Sequence, residues 1–179
     1  MLHADAALTL AIAPIPGTEQ FLLEQKAVRD IWGTTAGKVS SSHHWNLDQV
    51  ERELGRQGTV PLGNAGKGDL AYVACVLRLV DYAHINRDRA PSLEKALRQP
   101  LEPESLIHWL AQEKIDGPER DGSELVYRSS SAVEDVDAWW LYFEMLSGLD
   151  EEISAVRRYL DHRPSSKGRL SLERVRGAS

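Results

Sequence analysis

At 179 residues the chain is the size of one domain, or of one domain with an appendage, which excludes a large multidomain assembly. Hydrophobic residues make up 42% and charged residues 27%, with five Trp, a balance too apolar for a disordered chain. Twenty-one Lys and Arg against 27 Asp and Glu leave a net charge of −6, which argues against a nucleic-acid-coating surface while leaving room for a local basic pocket. The single cysteine, Cys75, can form no internal disulfide and fits a reducing compartment. The early apolar run over 6–15 is too short to cross a bilayer and lacks the positive charge that precedes a secretory signal, so a cytoplasmic chain without membrane contact is expected.

Residues 1–17 are expected to be an irregular or truncated segment, because a helix-like start is stopped early by Pro14. With Thr18 as N-cap, Phe21, Leu22, Ala27, Val28 and Ile31 recur at helical spacing up to Gly33, a stop signal. A short helix over 35–42 then leads to His43-His44-Trp45. Asn46 caps a third helix with Leu47, Val50 and Leu54 on one stripe and Gly55 at its end. The glycine-rich stretch 58–68 holds no G-x-x-x-x-G-K-[ST] phosphate loop and reads as a flexible loop running into a helix cap at Asp69. Residues 70–80 are apolar on every side but one, the pattern of a helix at the centre of a bundle.

Farther on, Ser92 opens a short helix to Leu97, residues 102–113 form another, and Leu125-Val126-Tyr127 reads as a short strand. Asp135 or Asp137 caps the longest helix, which runs to about 159 with Trp140, Phe143, Met145, Leu146, Leu149, Ile153, Val156 and Leu160 largely on one face. Residues 163–179 form a polar tail in which Leu170, Leu172 and Val175 can make a short terminal strand. The fold class is mainly α: a helical domain over 18–162, with a small β element near 124–128 and another at the C-terminus.

Candidate chemistry concentrates at Arg78, Asp81 and His84, which bring a polar stripe onto the apolar helix at i, i+3 and i+6. A buried carboxylate needs a cation, so Asp81 either pairs with Arg78 as a structural lock or ligates a metal ion. His43 and His44 offer a second group. Neighbours on a helix diverge by roughly 100 degrees, so at most one of the two imidazoles can enter a given site. Each is either a structural histidine or, with Asp81, a ligand to a divalent metal such as Mn, Fe, Mg or Zn, weakly held by so few protein ligands. Trp139-Trp140 is an exposed stacking platform or, as is commoner, a pair of which one or both rings are buried. Ser129-Ser130-Ser131 lacks a base and a nucleophile-elbow context. Asp150-Glu151-Glu152 with Arg157-Arg158 needs no ligand on a solvated helix.

Residues 70–84, LAYVACVLRLVDYAH, with the following NRDRAP over 86–91, resemble the last metal-binding helix of the HD superfamily of metal-dependent phosphohydrolases. With IWGTTAGKVSSSHHW over 31–45 and ESLIHW over 104–109, the chain is similar to the HD-CE-like subgroup of bacterial conflict and stress systems, often joined to a chaperone-type, GHKL-like ATPase. The resemblance spans roughly 21–160 and implies a partial HD-type helical bundle and ancestral hydrolysis of a nucleotide or other phosphate ester. It implies Asp81 as the terminal metal ligand and His43 or His44 as the intermediate histidine. Arg78, His84, Arg87 and Arg89 would then meet the substrate phosphate. The chain departs from the family in one respect: no His-Asp dipeptide occurs anywhere in it. Two readings follow, a catalytically incomplete phosphohydrolase domain, or a non-catalytic regulatory module that holds a chaperone-type ATPase or self-associates through an uncovered apolar groove.

Overall fold

The computed structural model describes residues 2–61, 67–85, 103–129, 135–163 and 169–178. The short helix expected from Ser92 and the residues Arg87 and Arg89 lie outside these. Among the described residues there are six α-helices and five short strands, a mainly α chain with small β elements. The chain divides into two compact units, Met1–Asp81 with Tyr159–Gly168, and Tyr82–Arg158 with Arg169–Ser179.

In the first unit, α1 (Leu2–Leu10) is a helix where irregular chain was expected. It packs on α2 (Lys26–Ser41), which starts later than Thr18 and runs straight through the expected stop at Gly33. Close approach explains this. A Cβ on Gly33 would lie 2.8 Å from the Ala11 carbonyl oxygen, and one on Gly37 would lie 2.8 Å from that of Leu8. The two glycines therefore serve as a seat for the N-terminal segment and not as a terminator. Thr18 instead closes a turn, donating from its hydroxyl to the Ile15 carbonyl at 2.9 Å and accepting from the Gln20 N–H at 3.1 Å.

Two further helices follow. Asn46 caps α3 (Leu47–Glu53), its side chain accepting from the Gln49 N–H at 2.8 Å. The glycine-rich stretch is flanked by β1 (Thr59–Pro61) and β2 (Lys67–Asp69), an antiparallel pair rather than featureless loop. Asp69 caps α4 (Leu70–Ala83) by accepting from the Ala71 and Tyr72 N–H groups. Only one stripe of α4 is buried, Leu70, Ala71, Ala74, Cys75 and Leu79, while Val73 and Val80 face solvent, so the helix is amphipathic and not wrapped on all sides. Val50, Leu54, Leu70, Ala71 and Ala74 form the core, with Val39, Trp45, Val60 and Tyr159 packed against it.

A buried cation closes this unit. The Arg163 side chain is 6% exposed and donates to Glu51 at 2.7 Å and Asp69 at 3.3 Å. It also donates to the Tyr159 hydroxyl at 2.6 Å, which in turn donates to Glu51 at 2.6 Å. Burial opposes the guanidinium charge, but the Tyr159 hydrogen bond and the Asp69 and Glu51 charges outweigh it and raise the Arg163 pKa.

The second unit holds α5 (Pro103–Glu113), the hairpin β3 (Ile115–Asp121) and β4 (Glu124–Ser129), α6 (Val136–Asp161, whose last turn belongs to the first unit) and β5 (Arg174–Ala178). The sheet order is β3-β4-β5, antiparallel then parallel. The expected strand over 125–127 is β4, and Val175 lies in the expected terminal strand; β3 was not anticipated. Tyr127 is fully buried and donates to the Ala83 carbonyl at 2.5 Å. Asp135 caps α6, accepting from the Ala138 N–H at 2.8 Å, and Ala138, Leu149, Ile153, Val156 and Leu160 are its buried residues.

Candidate functional site

The residues expected to hold a metal are placed as follows. Asp81 is exposed near the end of α4, not buried as the polar stripe predicts, Arg78 is half-buried and His84 is exposed. His43 and His44 lie on a single 3-10 turn, Ser42–His44, with their rings 4.1 Å apart instead of diverging. The His43 Nδ1–H donates to the Ser40 carbonyl at 2.6 Å, which orients that ring locally. Among the described residues no three His, Cys, Asp or Glu side chains gather as a metal-holding group.

The most developed surface lies on α6. Val136, Trp139, Trp140 and Phe143 recur at i, i+3, i+4 and i+7 and are 67%, 44%, 53% and 51% exposed. This corrects the expectation that Trp140 and Phe143 share the buried face and that a Trp is buried. The Trp139 and Trp140 rings meet edge-on at 5.0 Å, and Trp139 lies nearly parallel to Phe143 at 5.9 Å, so the rings brace one another in solvent. Beside them runs a groove with a cavity of about 500 Å³, walled by Trp139, Phe143 and Leu146, ended by Asp150 and Glu151, and bordered by Val175 and Gly177 of β5.

Local forces fix this groove. Asp150 accepts from the Val175 N–H at 2.7 Å, tying α6 to the edge strand. Arg174 and Arg176 ion-pair with Glu124 and so fasten β5 to β4. The Tyr142 hydroxyl is buried without a hydrogen-bond partner among the described residues, and desolvation raises its pKa, so it stays a neutral phenol. A second cavity, of about 650 Å³, shares Asp150 and Glu151 and is lined also by Tyr82, Glu152 and Arg158. The groove joins a stacking surface to carboxylates. It can hold an apolar or aromatic-compatible group carrying positive charge.

The signal for the aromatic face was present in the sequence. Residues 138, 149, 153, 156 and 160 share one helical phase and 136, 139, 140 and 143 another, about 120° away. The apolar residues of α6 therefore make two stripes, and one of them stays exposed among the described residues. The groove partners from β5 carried no such signal.

The family model described as HD-CE matches residues 2–155. The chain belongs to the HD-CE family. No match to a curated protein or to a solved structure was found. The HD-CE match covers α1 to most of α6, and so includes both the α4 residues of the expected metal site and the aromatic face.

Proposed function

We propose that this HD-CE chain works as a non-catalytic docking module in the cytoplasm, with a chaperone-type ATPase of a stress or defence system as its partner. The exposed aromatic stripe of α6 carries the reading. Tryptophan is enriched among residues that dominate interface energetics, and covering a large apolar side chain is worth about 1.5–3 kcal/mol. Among the described residues no element of the second unit buries the stripe, so that stabilisation is left for a partner. The absence of a His-Asp dipeptide supports the same reading.

The test is the affinity of the chain for a purified chaperone-type, GHKL-like ATPase domain from the same source, compared with Trp139→Ala/Trp140→Ala. Affinity should fall by about thirtyfold or more while the melting curve is kept. Unchanged affinity would remove the stripe from the interface. The family match favours a second reading, an HD-type phosphohydrolase completed by groups beyond the described residues. In it Asp81 and one of His43 or His44 would ligate a weakly held divalent metal, and Arg78 and His84, with Arg87 and Arg89, would face the phosphate. Metal-dependent turnover separates the two.

A further inference from the structure

Building on the docking reading, we infer that the groove between α6 and β5 seats an extended, lysine- or arginine-bearing segment of the partner protein. Length is the first argument. From Trp139 to Asp150 the groove spans eleven helical steps, about 16 Å, which is the reach of about five residues of strand. β5, its other wall, is itself five residues long.

Backbone geometry is the second argument. β5 lies at the edge of its sheet with β4 on one side. The Val175 N–H turns away from β4 to Asp150. Alternation along a strand places the Gly177 N–H and C=O on that same outer edge. Gly177 is exposed and brings no side chain of its own to that edge, while Leu146 and Tyr142 of α6 lie against its Cβ position. Extended segments recognised in this way take affinity from the main chain and selectivity from alternate side-chain pockets.

Charge complementarity selects the side chain. The groove begins with the faces of Trp139 and Phe143 and ends at Asp150 and Glu151. Asp150 is engaged by β5, whereas Glu151 is exposed and forms no ion pair among the described residues. A lysine or arginine toward the Asp150 end lays its apolar stem along Leu146 and sets its charge against Glu151, while an apolar neighbour in the segment rests on the rings. A second copy pairing β5 antiparallel about its centre would set Arg176 opposite Arg176, a like-charge pair that disfavours self-addition.

Three acetylated and amidated pentapeptides of β-branched residues, with lysine, glutamate or norleucine at the centre, are titrated into the full chain. Tryptophan fluorescence and the amide shifts of Val175 and Gly177 report binding. The lysine peptide should bind about tenfold tighter than the other two, and Glu151→Gln, an exposed and fold-neutral change, should erase most of that preference. Equal binding of the three peptides, shifts confined to sites away from β5, or no binding would overturn the inference. If the peptides fail while Trp139→Ala/Trp140→Ala still weakens the ATPase complex, the basic-segment inference falls and the docking reading stands. If that complex also ignores the double substitution, both fall.

Discussion

Arg163 is the residue on which the first unit leans most heavily. Its guanidinium joins α3 through Glu51, the start of α4 through Asp69, and the end of α6 through Tyr159. Arg163→Ala leaves two carboxylates facing a site from which the cation has gone, and Asp69 is only 11% exposed. We expect a loss of about 3 kcal/mol in urea denaturation, the lower end for a broken buried pair because Glu51 is partly solvated. A loss within 0.5 kcal/mol, the range of about an ordinary surface change, would show that the network contributes nothing. None of this was legible in the sequence, since Glu51 and Arg163 lie 112 positions apart. The caps at Asn46, Asp69 and Asp135 were legible, because each bonds an N–H two or three residues on.

The α1–α2 seam inverts an ordinary helix rule. In an open helix Gly→Ala gains about 1 kcal/mol, but at Gly37 the new methyl would sit 2.8 Å from the Leu8 carbonyl oxygen, which is backbone and cannot swing aside. Gly37→Ala should therefore destabilise by about 1–3 kcal/mol, with faster hydrogen exchange in α1; a stabilised protein would show that α1 is loosely held. The attachment of β5 is an electrostatic matter. Hydrogen bonding from Arg174, then the charges of Arg174 and Arg176, lower the Glu124 pKa below 4.5. A depressed carboxyl stabilises the fold fully above its unfolded value and loses that contribution as pH falls through the folded one. With the intrinsic rate, which itself falls with pH, divided out, protection of the β5 amides should thus drop below pH 4.5 in the native chain, and Glu124→Gln should remove this acid-dependent drop. β5 protection that stays constant on acidification of the native chain would contradict the account. Helices were readable from their periodicity, and β4 from Leu125-Val126-Tyr127. β3, whose sequence Ile-Asp-Gly-Pro-Glu-Arg-Asp has almost no apolar alternation, becomes a strand because β4 pairs with it. The run through Gly33 was misread because a contact, not a propensity, decides it.

Across the whole molecule, the two proposed readings make different demands on the described residues. The phosphohydrolase reading calls for a centre where several ligands fix a metal and aim a water at phosphorus. The chain places Asp81 in solvent and gathers no three donors among its described residues, while it spends two tryptophans and a phenylalanine on an exposed face. The proposed docking role accounts for that exposed face. The candidate metal residues were easy to pick out in the sequence, but their burial and mutual placement depend on tertiary packing that spacing alone does not encode. The most direct measurement is phosphate release from nucleoside mono- and triphosphates by the intact chain in excess Mn2+, beside Asp81→Ala. The docking account predicts no turnover above the metal-only background in either protein. Turnover that requires Mn2+ and vanishes in Asp81→Ala would contradict it and return the chain to the hydrolases.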